Sequence, residues 1–201
     1  MPNKHSLLNS HLDLAHHYWK IHLNPGDAVI DATCGNGYDT AFLASLVLSN
    51  NEGLVFAYDI QKTAIENTKI HLDKIFNKEQ LSCIQLIQSC HSNFFKSSNH
   101  PNIRCIAYNL GYLPGGNKKL TTKTSSTLES ISNALSLIAP GGIISITCYP
   151  GHAEGFIETE YIQQTISKLP SQKWSCCHHS WPNRPKSPQL FLLQKKSSHE
   201  S

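Results

Sequence analysis

The sequence predicts an α/β fold: a seven-stranded, mostly parallel sheet with helices on both faces and an antiparallel C-terminal hairpin. Three observations point there. Short apolar runs alternate with helically spaced ones along most of the 201 residues, which is the signature of βα units stacked into a parallel sheet. A glycine turn, Gly35-Asn36-Gly37, joins the first apolar run to the helix after it. The last two strand-like runs have no helix between them, so they pair as an antiparallel edge.

Taken in order, residues 6–22 carry Leu8, Leu12, Ala15, Tyr18 and Trp19 at helical spacing. Asn24-Pro25-Gly26-Asp27 is a turn. Strand 28–32 leads to helix 38–48, strand 54–59 to helix 61–76, and strand 82–88 to a Ser/Asn/His-rich loop reaching about residue 102. Strand 103–109 is followed by a polar loop and a helix over 124–138. Ala139-Pro140-Gly141-Gly142 turns into strand 143–148, and helix 154–168 follows. Strands 172–180 and 188–195 close the chain, leaving 197–201 to fray. The whole length, 1–201, reads as one domain with an N-terminal helical segment over 1–24.

With 39% hydrophobic residues and a formal charge of +3, the composition is that of an ordinary globular chain. No apolar run is long enough to cross a bilayer, and Met1-Pro2-Asn3-Lys4-His5-Ser6 lacks the order of a signal peptide; a cytoplasmic location is expected. The seven cysteines are scattered with no C-x-x-C pair, which argues against zinc. Cys176-Cys177-His178-His179 lies in a strand-like run, where neighbours point to opposite faces and cannot converge on one ion. No metal is expected. Lys118, Lys119 and Lys123 form one basic cluster and Arg184, Lys186, Lys195 and Lys196 another; either suits RNA phosphates or a solvated face.

The turn after the first strand reads Asp31-Ala32-Thr33-Cys34-Gly35-Asn36-Gly37-Tyr38-Asp39-Thr40. Glycines let the chain bend and a ligand approach the backbone, and the helix start offers free N–H groups. Thr40 stands where a dinucleotide fingerprint needs its third glycine, and the turn has no lysine for a phosphate loop. Asp59 ends the next strand about 20 residues on, where a Rossmann-like unit places its ribose-binding carboxylate. The acidic strand end plus G-x-G resembles motif I of class I S-adenosylmethionine (SAM) methyltransferases. Carboxylates suit that cofactor's cationic groups and ribose hydroxyls. Asp31, Gly35, Asn36, Gly37, Asp39, Thr40, Asp59, Gln61, Cys90, His91 and Asn109 are the candidate cofactor contacts.

After the fourth strand comes Asn109-Leu110-Gly111-Tyr112-Leu113-Pro114-Gly115-Gly116-Asn117-Lys118. Amino-directed methyltransferases carry Asn/Asp-Pro-Pro-Tyr/Phe at this place; here Asn109 and Tyr112 keep the spacing while Leu110 and Gly111 replace the prolines. An amide oxygen can accept an amine's hydrogens and aim its lone pair, and such positioning supplies a large share of rate acceleration. Tyr112 can stack on a base. At the end of the fifth strand, Tyr149-Pro150-Gly151-His152-Ala153-Glu154 offers Tyr149 and His152 to an acceptor pocket, with Glu154 suited to a helix start. Asn109, Tyr112 and His152 are therefore the catalytic candidates. Leu110, Gly111, Tyr112, Pro114, Gly115, Gly116, Lys118, Tyr149 and His152 are the substrate-binding ones.

Together these segments, with Asn183 and Pro185, resemble a bacterial rRNA-methylase family of class I enzymes over nearly the whole chain. The resemblance implies a Rossmann-like class I methyltransferase fold, SAM as cofactor, and the tRNA anticodon loop as partner. It implies N-methylation of 5-aminomethyl-(2-thio)uridine to the 5-methylaminomethyl form at the wobble position. Two positions depart from the family pattern: Asn117 where Asp is common before Lys118, and Cys90 where Ser is common before His91. The residues themselves leave open another amine in rRNA, DNA or protein, a non-catalytic SAM-binding module, and a homodimer.

Overall fold

The computed structural model describes residues 10–49, 52–94, 101–111 and 123–197. Along the chain come α1 (His11–His22), β1 (Ala28–Asp31), α2 (Tyr38–Val47), β2 (Leu54–Asp59), α3 (Lys62–Leu72), α4 (Lys78–Ser82) and β3 (Ile84–Gln88). After a 3-10 turn at His91–Asn93 follow β4 (Ile103–Asn109), α5 (Thr124–Leu137), β5 (Ile138–Cys148), α6 (Ala153–Ile166), β6 (Trp174–His179) and β7 (Gln189–Lys195).

Seven strands form one sheet in the order β3-β2-β1-β4-β5-β7-β6. The first five pair in parallel, and β7 pairs antiparallel with both β5 and β6. This is the mostly parallel seven-stranded sheet with an antiparallel closing hairpin that the sequence predicts. The chain walks outward from β1 to β3 and then returns to β4 on the other side of β1. A crevice therefore opens at the carboxyl ends of β1 and β4, the place where such sheets bind ligands.

Period-two alternation divides the core between the two faces. Val29, Cys105, Leu190 and Leu192 join Ala15 and Trp19 of α1, Leu43 and Val47 of α2 and Leu72 of α3. Ile30, Ile106, Phe191 and Leu193 join Ile131 and Ala134 of α5 and Ile162 and Ile166 of α6. Helices thus cover both faces, as the alternation requires.

Three boundaries differ from the sequence expectation. Residues 78–82 form the short helix α4 rather than the approach to β3; a capping box between Asn77 and Gln80 nucleates it. β5 begins at Ile138, and the expected Pro-Gly-Gly turn survives as a bulge inside it. Ile103 pairs with Ile138 but Cys105 with Ile143, Gly141 has φ 79°, and the Arg104 guanidinium holds the Pro140 carbonyl at 2.7 Å. α1 starts at His11, where Ser10 and Asp13 cap it reciprocally. Among the described residues, no helix is long and apolar enough to cross a membrane.

Candidate active site at the carboxyl edge of the sheet

Asp31, Asp59, Asn109 and Tyr149 all lie at, or one residue past, the carboxyl ends of their strands. Sheet order brings those ends together although the residues are far apart in sequence.

The glycine turn is held mostly by backbone groups. Gly35 and Gly37 sit at φ 55° and 82°, a region only glycine enters at no steric cost. At Gly37 a Cβ would also come within 2.9 Å of the Thr68 backbone on α3, so the turn and that helix pack without a side chain between them. Asp59 accepts the Gly35 N–H at 3.1 Å and the Gln61 N–H at 2.9 Å. The Asn36 and Asn67 side chains hydrogen-bond at 3.0 Å. Asp31 is buried and faces inward: one carboxylate oxygen accepts the Thr33 N–H at 3.1 Å, the other the Thr40 hydroxyl at 2.5 Å. Asp31 therefore braces the turn from beneath. Burial, followed by the nearby Asp39 charge, pushes its carboxyl up to about 7. Burial also raises the Asp59 carboxyl.

At the far side of this pocket wall, His91 is buried in the 3-10 turn after β3, edge-on to Tyr108. Its Nδ1 has no hydrogen-bond partner among the described residues, and burial brings its pKa down to about 4. A pKa that low favours the neutral ring. Cys90 accepts a hydrogen bond from the Ser92 hydroxyl at 3.3 Å.

Beside the turn runs a chain of side chains centred on Asn109. Its N–H donates to the Thr33 hydroxyl at 2.7 Å, tying β4 to the glycine turn. Its Nδ2 donates to Asp39 Oδ2 at 3.2 Å, and its Oδ1 accepts the Tyr149 hydroxyl at 2.7 Å. Asp39 Oδ1 accepts from His16 Nε2 at 2.7 Å, whose ring stacks on Phe42 at 4.0 Å. At the other end, the Tyr149 hydroxyl meets His11 Nε2 at 3.0 Å. A carboxylate only accepts, so Asp39 fixes which way the amide points. Burial and the Asp39 charge push the Tyr149 phenol up to about 12. His11 and His16 carry no local signal in the sequence; they reach partners 138 and 23 residues away.

His152 is the N-cap of α6: its Nδ1 accepts the Gly155 N–H at 3.1 Å, and Glu154 lies 3.5 Å from the same nitrogen. Glu154 lies in the first turn of α6, as expected, while the side-chain cap itself comes from His152. Leu110 is buried, and Gly111 takes φ 130° beside the Tyr149 ring. Tyr112, Pro114, Gly115, Gly116, Asn117 and Lys118 lie outside the described residues, as does Lys119.

Residues 55–195 match the family described as "Putative rRNA methylase". The chain belongs to this family. It is 39% identical over 190 residues, 92% of this chain and 69% of the other, to a chloroplastic tRNA (mnm(5)s(2)U34)-methyltransferase of Arabidopsis thaliana. Among solved structures, an rRNA-methylase relative from Clostridium thermocellum superposes with TM-score 0.87 at 35% identity, covering 94% of this chain and 100% of its own. A Streptococcus mutans methyltransferase relative, solved in complex with SAH, reaches TM-score 0.81 at 27% identity, covering 94% and 99%. Within the family fold, the glycine turn and the Asn109 network meet at the carboxyl ends of β1 and β4, tied together by the Asn109 N–H on the Thr33 hydroxyl.

Proposed function

We propose that this chain is a SAM-dependent N-methyltransferase that converts 5-aminomethyl-(2-thio)uridine to its 5-methylaminomethyl form at the wobble position of tRNA. The observation that carries this reading is the fixed amide of Asn109 at the switch point, its oxygen turned away from Asp39 and, among the described residues, accepting only the Tyr149 hydroxyl. An amine whose hydrogen is accepted there has its own lone pair aimed across the crevice. The tRNA assignment draws on the name of the Arabidopsis relative.

The residues present fit the cofactor. The Gly37 turn has no room for a side chain, Asp59 presents a carboxylate at the end of β2 that backbone N–H groups hold in place, and His91 holds a buried, unpartnered Nδ1 among the described residues. The glycine turn (Gly35, Asn36, Gly37), Asp59, Gln61, Cys90 and His91 would hold SAM, with Asp31, Asp39 and Thr40 shaping the turn. When bound, SAM supplies an electrophilic methyl group on a sulfonium. Asp39 and Asp59 give the site the negative charge that suits that cation. Asn109 orients the amine. Leu110, Gly111 and Tyr149 line its approach, with His152 at the α6 start, and Tyr112, Pro114, Gly115, Gly116 and Lys118 complete the substrate loop in this reading. The anticodon loop is the partner and the cytoplasm the expected location.

Nucleoside mass spectrometry of tRNA from cells with and without the protein tests the reading. Loss of the protein should convert methylaminomethyl-uridine to aminomethyl-uridine. Unchanged tRNA, together with methyl transfer from labelled SAM to rRNA, DNA or protein fractions, would move the substrate elsewhere.

A further inference from the structure

We propose that α1 completes the acceptor site: His11 takes the proton that the substrate ammonium must lose, passed to it through the Tyr149 hydroxyl. This rests on the amine substrate proposed above. An alkylammonium has no lone pair, so one N–H bond must break before nitrogen can attack a methyl group. Something within hydrogen-bond reach has to receive that proton.

Among the described residues, Asp59 is assigned to the cofactor, and the other titratable groups near Asn109 are already committed. Both oxygens of Asp31 are held inside the turn by Thr33 and Thr40. Both oxygens of Asp39 are held by His16 and Asn109. His152 Nδ1 is taken up by the Gly155 N–H at the start of α6. His91 is buried against Tyr108 on the opposite, cofactor side. From Asn109 Oδ1, however, a continuous path runs 2.7 Å to Tyr149 Oη and 3.0 Å on to His11 Nε2. His11 is half-buried in the first turn of α1, so its ring reaches solvent and can release the proton afterwards.

In the resting arrangement the Tyr149 hydroxyl donates to Asn109. When the amine docks, one of its hydrogens takes that place on Asn109 Oδ1. At rest the His11 ring donates its Nε2–H to Tyr149 Oη; it exchanges that hydrogen through solvent for one on Nδ1, and the hydroxyl then turns to donate to the bared His11 Nε2. The substrate N–H bond breaks toward Tyr149 Oη as the Tyr149 O–H bond breaks toward His11 Nε2. Tyrosine ends neutral, the amine gains its lone pair, and the positive charge moves to the imidazole. Burial lowers the His11 pKa, so the ring enters the step without the proton it is to receive. Three groups face it: Asp13 on its own helix, Asp39 from α2, and Tyr149 from the turn after β5. The two carboxylates stabilise the imidazolium that forms.

The test uses single-turnover methylation of tRNA bearing 5-aminomethyl-uridine, by the full chain, across pH 6 to about 9, for wild type, His11→Gln, His11→Phe and Tyr149→Phe. Each variant should lose on the order of a hundredfold at neutral pH, a typical loss for a missing proton acceptor. The deficit should narrow as pH rises, because bulk water then supplies the neutral amine. His11→Gln is decisive: glutamine can hydrogen-bond to Tyr149 but cannot take up a proton, so it should be as slow as His11→Phe. SAM affinity by calorimetry should stay within about twofold. The His11 imidazole resonance should titrate at a different pH in Tyr149→Phe. A pH-independent loss that His11→Gln restores would show that His11 only positions Tyr149, and the relay would fall. Wild-type enzyme inactive on this tRNA but active on another fraction would overturn the substrate reading and the relay with it. If His11→Phe does not fold, His11→Gln and Tyr149→Phe still decide the matter.

Discussion

The two walls of the crevice are built by different means. On the cofactor wall, backbone amides of Gly35, Gln61 and Thr33 rest on carboxylates at strand ends, and two glycines take positive φ. On the acceptor wall, five side chains from α1, α2, β4 and the turn after β5 hold one another through hydrogen bonds. Backbone geometry is set by the strand-turn-helix unit and tolerates changes at its rim. A side-chain network is only as good as its weakest member, because each partner fixes the orientation of the next. The cofactor wall should therefore lose affinity when altered, and the acceptor wall should lose rate.

The largest expected effect is on the acceptor wall. Asn109→Ala removes the oriented amide and leaves the Tyr149 hydroxyl and Asp39 without a common partner. Methyl transfer should fall on the order of a hundredfold, the scale of lost positioning, while SAM affinity measured by calorimetry stays near wild type. Turnover at the wild-type rate under saturating substrates would erase the distinction between the walls.

The cofactor wall should reveal itself in stability against pH. Asp31 is buried, with its carboxyl pushed up to about 7 from an unfolded value of 3.8. Between those values the folded state holds a proton that the unfolded chain has released. Stability from this group is thus full below about pH 4 and declines as pH rises to about 7. Asp31→Asn cannot ionise. The stability difference between wild type and variant should therefore shift by about 2–3 kcal/mol between pH 5 and 8, in the variant's favour at the higher pH. Urea unfolding at the two pH values measures it, and a difference constant with pH would mean that Asp31 is ionised throughout.

The same contrast explains what could be read from the chain. The glycine turn and its aspartates span few residues, so their chemistry is visible as a local pattern; the strand order follows because βα units have few ways to wind. The place of Asn109 at the carboxyl end of β4 was legible. Its partners were not. His11 and Tyr149 meet only because α1 packs across β5 and β7, and nothing in the local sequence around Ser10-His11-Leu12 marks that contact. The misplaced start of β5 has a local cause: Pro140-Gly141-Gly142 does turn, but the strand resumes pairing around it as a bulge. Helix α4 could have been found from Asn77 and Gln80 at capping-box spacing.

A moderate effect is expected at Asp59. Asp59→Ala strands two backbone donors, those of Gly35 and Gln61, and removes the carboxylate assigned to the ribose. SAM affinity should weaken by at least about tenfold, consistent with roughly 1–3 kcal/mol for lost partners of this kind, with the thermal transition still cooperative. Unchanged affinity would transfer the ribose to another group.

The smallest effect concerns His152, which stands at the seam between the walls. Its Nδ1 caps α6, and Gly155 beyond it has no room for a Cβ against the Tyr149 carbonyl. The cap therefore sets how the 149–152 turn sits beneath the acceptor network. His152→Ala should cost about 1 kcal/mol of stability, as cap removal usually does, and His152→Asn should recover most of it because asparagine caps well. Denaturant titration separates the two. If His152→Asn is as stable as wild type yet transfers methyl groups far more slowly, the imidazole belongs to the acceptor wall through its Nε2, which is buried without a partner among the described residues, and the seam is part of the catalytic side.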